Sequence, residues 1–168
     1  GAVSTVRSTA KAEFQARIFM LPAEIQKGLL TGNLAIVDFD VYKAVVLNTA
    51  TSYDKIFRDA DTRTVGTGNL NGRKLLKDQY FLVTHVELSY GVNATLANTS
   101  WTTDIPDVVA NGELTIKQGG RVILPDNFSN ANFANKQNAA ERKGQYRLAN
   151  PKWLYPEEEI TANYFGTS

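Results

Sequence analysis

The segment that most restricts the fold is GELTIKQGGRVILP, residues 112–125, in which two glycines separate two alternating runs. Apolar and polar residues alternate before Gly119-Gly120, and the alternation resumes at Val122. A two-residue Gly-Gly connection is typical of a type I′ turn, because both of its central residues need a positive φ. A phosphate-binding loop would instead need a helix after the glycines, whereas Pro125 follows here. The segment therefore predicts a β-hairpin.

Apolar residues with a period of two also occur elsewhere, and this spacing predicts half-buried strands. The most regular runs are residues 13–21, 34–47 and 79–90. In the last of these, the predicted apolar face comprises Leu82, Val86, Leu88 and Tyr90. Shorter strands are predicted at 145–149 and 152–156.

Two regions have a different pattern. Pro22 is expected to open a short helical turn at residues 23–30, where Ile25 and Leu29 share a face. The C-terminal segment 157–168 fits two structures, a short helix that begins in its three glutamates or a final strand.

Length and composition indicate one domain. The chain has 168 residues, of which 43% are hydrophobic and none is cysteine, so a core without disulfides is expected. About eight strands with one or two short helical turns predict an all-β fold, a single jelly roll or β-sandwich over residues 1–168. Residues 1–11 are predicted to be an N-terminal arm, and the long connections 91–111 and 125–144 are expected to carry function.

The sequence offers little catalytic chemistry. His85 is the only histidine and lies on the polar face of a predicted strand, which is more typical of a surface residue than of a general base. Asp59 and Asp61 have the spacing that begins a calcium loop, but Arg63 occupies the position of the third ligand. We therefore predict no enzyme activity, cofactor, metal site or small-molecule substrate.

Membrane insertion and export are not indicated by the sequence. No apolar run approaches the roughly 20 residues of a transmembrane helix, and the N-terminal residues lack the order of charged, apolar and small residues in a signal peptide. The formal net charge of +1 provides no general attraction to nucleic acid.

Two groups of residues are candidates for contacts. Arg7, Lys11 and Arg17, opposed only by Glu13, suggest an arm that touches a genome or lipid head groups, with an ordinary charged edge as the alternative. Aromatic side chains suited to a core or a subunit interface are Trp101, Trp153, Tyr155, Tyr164 and Phe165.

Three stretches carry a resemblance to a known family: GRKLLKDQYFLVTHVELSYGVNA, VVANGELTIKQGGRVILP and GQYRLANPKWLYPEEEIT. The types of segment and their order along the chain resemble those of the jelly-roll capsid proteins of tailless icosahedral bacteriophages. The resemblance covers roughly residues 70–165. The resemblance implies a structural subunit of the virion that associates with itself or with a second capsid protein. It also implies an arm that faces the genome or an internal membrane, and no catalytic residues. Larger members have two jelly rolls, whereas this chain is long enough for one, so a major, minor, vertex or spike role stays open.

The alternative is a carbohydrate-binding or adhesive β-sandwich module. Such a module would present Trp101 or Trp153 as a flat platform for a sugar. Exposure separates the two hypotheses, because a capsid subunit would place these rings in its core or its contacts.

Overall fold

The computed structural model describes residues 10–47, 52–53, 55–134 and 143–167. The chain forms two compact units, Gly1–Asp40 and Val41–Ser168. The described elements of the first unit are helical, and all the described strands belong to the second unit. Most of the predicted arm, residues 1–9, lies outside the described residues.

The first unit contains helix α1 (Ala10–Arg17), a 3-10 helix (Ile18–Met20) and helix α2 (Ala23–Leu30). The predicted strand at residues 13–21 is therefore wrong. The sequence AKAEFQAR of α1 consists mostly of strong helix formers, and Glu13 pairs with Arg17 one turn later. These local preferences outweigh the apolar alternation.

Helix α2 confirms the helical turn predicted after Pro22. The chain folds back tightly at the end of this helix, where the Leu34 amide donates to the Gly28 carbonyl at 3.0 Å. A Cβ atom at Gly28 would lie only 2.6 Å from Leu34 Cδ1. A larger residue at position 28 would therefore have to displace the Leu34 side chain.

The predicted strand at residues 34–47 does not form. Residues 34–40 are exposed and belong to no helix or strand, and the later part makes an isolated bridge between Lys43 and Gly68. Alternation leads to a strand only where a neighbouring strand pairs with it, and among the described residues this segment joins neither sheet.

The second unit contains two antiparallel sheets. Four strands have the order β1-β6-β3-β4, where β1 is Ser52–Tyr53, β3 is Glu113–Gln118, β4 is Arg121–Leu124 and β6 is Ile160–Phe165. The other sheet pairs β2 (Phe81–Glu87) with β5 (Gln145–Leu154). Short helices α3 (Asp107–Ala110) and α4 (Ala131–Ala134) and a 3-10 helix (Leu96–Asn98) lie between strands.

The predicted hairpin is confirmed as β3 and β4, which are joined by Gly119-Gly120 with Gln118 opposite Arg121. The expected turn type is wrong in one respect. Gly119 has a φ of 56°, whereas Gly120 does not share the positive φ that a type I′ turn needs at both positions. Glycine is needed at the first position only.

Strand β2 confirms the strand predicted at 79–90, and most of its predicted core face is confirmed. Three of the four predicted residues pack against the core: Val86, Leu88 and Tyr90. The assignment of Leu82 is wrong, because its neighbour Val83 is the buried core residue and Leu82 is not among the core residues. The register between β2 and β5 also shifts between Val83 and His85.

Two other predictions are resolved by the structure. The two strands predicted separately at 145–149 and 152–156 belong to one strand, β5. The register shift between Val83 and His85 lies in the pairing of this strand with β2. The ambiguous C-terminal segment forms strand β6, and no helix begins at its three glutamates.

Residues of both sheets share one hydrophobic core. Its largest fully buried apolar side chains are Phe133, Leu75, Leu124 and Ile160. Beside it, the rings of Phe128 and Tyr146 meet edge to face with centroids 5.0 Å apart. The described residues thus form a β-rich fold with few, short helices, as expected, but with six strands rather than about eight and more than two helical turns.

Gln118, at the end of β3, is fully buried and ties the hairpin to the segment after β5. Its Nε2 donates to the carbonyls of Tyr155 at 2.8 Å and Glu158 at 3.2 Å, and its Oε1 accepts from the Tyr155 amide at 2.8 Å. Beside it, the Arg121 guanidinium stacks 4.0 Å from the centre of the Tyr155 ring and pairs with Glu158. A single side chain therefore satisfies three backbone groups of a turn.

We predict that Gln118→Ala lowers the free energy of unfolding by about 2–4 kcal/mol, because these backbone groups lose their partners in a buried place. The matched control is Lys117→Ala on the same strand, whose ion pair with Asp126 is partly exposed and should contribute less than about 1 kcal/mol. Urea unfolding followed by circular dichroism gives both values. Equal losses for the two variants would show that Gln118 has no special role.

Candidate interaction surfaces

The predicted basic arm is only partly described. Arg7 lies outside the described residues, Lys11 is exposed on α1, and Arg17 is paired with Glu13. Lys11 and Arg17 are six residues apart, which places them about 120° apart around the helix. The described part of the chain therefore does not bring these two cations together on one face.

The predicted aromatic residues fall into two groups. Trp153 is 2% exposed and Tyr164 is also buried, whereas Trp101 and Phe165 are 46% and 41% exposed. Tyr155 is intermediate, with its face against Arg121 and its edge against Tyr80 at a centroid distance of 5.8 Å. A ring as buried as Trp153 cannot stack on a sugar. Of the two tryptophans predicted as possible sugar platforms, Trp101 is therefore the one that the structure leaves accessible.

The first unit exposes most of its large apolar side chains. Of its described residues, only Leu21 is a buried hydrophobic residue. Seven others are exposed, with fractions from 38% to 86%: Phe19, Met20, Leu30, Leu34, Ile36, Val37 and Phe39. Several large exposed apolar side chains in one short stretch of chain are a candidate interaction surface.

The segment Leu34–Asp38, called here the exposed segment, belongs to no helix or strand and carries apolar side chains. All of its residues are exposed, including Ile36 at 62% and Val37 at 73%. Within the described chain, no hydrogen bond is made by the backbone groups of Ala35 to Asp38.

In the second unit, exposed apolar residues are more dispersed along the chain. Three of them, Val92, Trp101 and Val108, lie in the long connection 91–111. Val122 lies on β4, the last strand of the four-stranded sheet. The functional role expected for the two long connections remains a prediction, and residues 135–142 of the second lie outside the described residues.

The acidic residues of the candidate calcium loop are engaged in ion pairs. Asp61 pairs with Lys43 at 2.9 Å, and Asp59 pairs with Arg73 at 3.0 Å. Burial alone would raise the pKa of Asp61, but hydrogen bonds from Lys43 and from the Arg58 amide, together with their positive charges, lower it below the usual value. Among the described residues, no three acidic or histidine side chains gather as metal ligands.

Lys43 and Asp61 also line an open cleft of about 280 Å³, with Ile56 and Leu96 among its apolar walls. Its charged lining consists of Lys43, Arg58 and Asp61, of which Lys43 and Asp61 pair with each other. We assign no ligand to it.

His85 lies at the surface of β2, opposite Arg147 of β5, with Nδ1 2.6 Å from the Thr84 hydroxyl. Desolvation lowers the pKa of His85, the positive charge of Arg147 lowers it further, and Glu87 partly offsets both effects. In the described chain the ring contacts the hydroxyl of its neighbour Thr84 and makes no hydrogen bond to a carboxylate that would orient it as a base. The arrangement fits a surface residue.

No helix in the described residues has the length and apolar content needed to cross a membrane. Comparisons of the chain with protein-family models, with curated proteins and with solved structures gave no match.

Sequence reasoning missed the exposed segment as a candidate site. Its alternation predicts a half-buried strand, and the same local pattern occurs in a segment that stays exposed. The difference is visible only in the fold, where the segment joins neither sheet of the described residues.

The lowered pKa of His85 predicts a pH-dependent stability. Because the folded-state pKa lies below the ordinary value of 6.5, the unfolded chain binds more protons between about pH 7 and pH 5. The free energy of unfolding should therefore fall as the pH falls through this range. His85→Gln should flatten this dependence in urea titrations at pH 7 and pH 5.

Arg147→Gln is the matched variant. It removes the positive charge near His85 but leaves the desolvation of the ring, which is the larger cause of the lowered pKa. Arg147→Gln should therefore reduce the pH dependence of the free energy of unfolding less than His85→Gln does. A dependence that persists unchanged in His85→Gln would contradict the assignment to this histidine.

Proposed function

We propose that the chain is a capsid subunit, a non-catalytic structural protein that builds a shell through repeated contacts with copies of itself or with a second capsid protein. The observation that carries this proposal is the apolar surface exposed by residues 19–39 of the first unit. A shell subunit presents such surface when alone and buries it in the assembly.

The β-rich second unit supports the proposal as a scaffold. Its two antiparallel sheets contribute to one core, which is compatible with a β-sandwich. We propose that they correspond to a single jelly roll, as the sequence resemblance implies. On this proposal the protein resides in the virion, and Arg7, Lys11 and Arg17 belong to a part of the subunit that faces the genome or an internal membrane.

The test is self-association of variants in the first unit. We expect the double variant Phe19→Ser/Leu30→Ser to weaken self-association by at least about 100-fold, because burial of each such side chain contributes about 1.5 kcal/mol or more. The two residues are 72% and 86% exposed, so the variant should keep the melting temperature of the subunit. Sedimentation velocity over a range of concentrations, with electron microscopy of large species, gives the measurement.

The matched control is Val65→Ser/Leu76→Ser, which removes two side chains of similar exposure, 86% and 69%, from the second unit. It should leave assembly nearly unchanged. A wild-type chain that stays monomeric both alone and with the other proteins of its particle would contradict the proposal.

The carbohydrate-binding alternative keeps one supporting observation, the 46% exposure of Trp101. If that function holds, a glycan array should reveal a ligand whose binding Trp101→Ala abolishes. The control Phe165→Ala, which removes a ring of similar exposure, should leave binding intact. An array without a hit would remove the alternative.

A further inference from the structure

We propose that the loop Tyr90–Thr102, called here the tryptophan loop, is a binding site for a neutral oligosaccharide, with Trp101 as the surface on which a sugar ring stacks. The inference goes beyond the proposed assembly function and does not depend on it, because a shell subunit and an isolated module can both carry such a loop. It assigns the ligand class and the loop residues that the exposure of Trp101 alone leaves open.

The tryptophan loop has a defined shape, because hydrogen bonds close both its base and its interior. At the base, Tyr90 and Thr102 exchange both backbone hydrogen bonds at 2.8 Å. In the interior, Asn93 Oδ1 accepts from the Thr95 amide at 2.9 Å, and Asn93 Nδ2 donates to the Asn98 carbonyl at 3.0 Å. Compact loops whose ends meet and whose own side chains hold them are frequent sites of function. A ligand that binds such a loop loses little affinity to the ordering of the chain.

The two arms of the loop approach each other closely at Gly91. A Cβ atom there would lie 2.2 Å from Thr99 Cγ2 and 2.8 Å from the Ser100 carbonyl oxygen. A larger residue at this position would push the arms apart. Below the arms, Tyr90 packs against the hydrophobic core, and Ile105, just after the loop, is buried in it. The loop is therefore anchored to the core at its base.

The side chains of the tryptophan loop and its flanks are uncharged and rich in hydrogen-bonding groups. Residues 88–103 contain no charged residue, although 21% of the whole chain is charged. Amides and hydroxyls make up most of residues 93–103: Asn93, Thr95, Asn98, Thr99, Ser100, Thr102 and Thr103. A sugar ring has apolar C–H faces that stack on an aromatic ring, and neutral hydroxyls that bond to amides and hydroxyls. An ionic ligand would find no opposite charge in this segment.

The exposed apolar area of the loop fits a small ligand better than a protein. Its exposed large apolar side chains are Val92 at 81% and Trp101 at 46%. Together they present roughly 200 Å², because a whole aromatic side chain offers only about 150–250 Å². One partner of a standard protein interface contributes about 800 Å², of which more than half is apolar. A sugar, which needs one ring to stack on and polar groups around it, is the occupant that this area favours.

Fluorescence quenching can observe the proposed site directly. The chain has two tryptophans, and because Trp153 is 2% exposed, a quencher in water reaches mainly Trp101. The probes are neutral oligosaccharides of the malto, cello and chito series, with oligogalacturonate as the acidic control. We expect at least one neutral series to protect Trp101 from acrylamide at millimolar concentrations, and oligogalacturonate to give no protection.

Variants then connect binding to the loop. In isothermal titration calorimetry with the protecting oligosaccharide, Trp101→Ala should weaken binding at least about tenfold, whereas Trp101→Phe keeps an aromatic ring and should retain most of the affinity. Asn93→Ala keeps Trp101 but removes the hydrogen bonds inside the loop, so it should weaken binding by about threefold or more. The matched control is Val108→Ser, which removes a side chain of 58% exposure just outside the loop and should bind normally.

Three results would overturn the inference: no protection by any neutral series, equal binding of oligogalacturonate, or calorimetric binding that Trp101→Ala leaves unchanged. Weaker self-association of Trp101→Ala, without any sugar binding, would assign the loop to a subunit contact instead. None of these results bears on the proposed assembly function, which is tested separately by the variants of the first unit.

Discussion

The arrangement of the four-stranded sheet depends on the hydrogen bonds that the buried Gln118 side chain makes. Strand β3 pairs with β6 on one side and β4 on the other, and Gln118 ends the strand where the chain between β5 and β6 must turn. By satisfying backbone groups of Tyr155 and Glu158, the side chain positions both the end of β5 and the start of β6. The two sheets are thus connected by a polar contact as well as by their shared apolar core.

The parts of the fold that could be predicted from sequence are those that local chemistry determines. The hairpin follows from alternation around two glycines, and helix α2 follows from Pro22 and its apolar face. The helix at residues 10–17 was missed because alternation was given more weight than helix propensity and the Glu13–Arg17 pair. The assignment of Leu82 to the core was wrong because the pairing of β2 with β5 is irregular between Val83 and His85, and such an irregularity leaves no local mark in the sequence.

The candidate site was less predictable, because exposure is a property of the whole fold. Trp101 and Trp153 look alike in the sequence, yet the structure exposes one and buries the other. Residues 34–40 have the alternation of a half-buried strand, but they are exposed and join neither sheet of the described chain. The role of Gln118 was also invisible, since a polar residue at a strand end is normally solvated, and its partners are 37 and 40 residues away in the chain.

The first unit differs from the second in the origin of its stability. Its two α-helices have eight residues each, shorter than the about 12–15 residues at which an isolated helix becomes marginally stable in water. With only Leu21 buried among its described hydrophobic residues, tertiary packing within the unit offers little compensation. A partner that covers the exposed side chains would stabilise the folded helices by mass action, because it binds the ordered form and not the disordered one. Folding of the first unit and assembly of the particle would then be one coupled equilibrium. The second unit would fold before assembly and independently, around its own core.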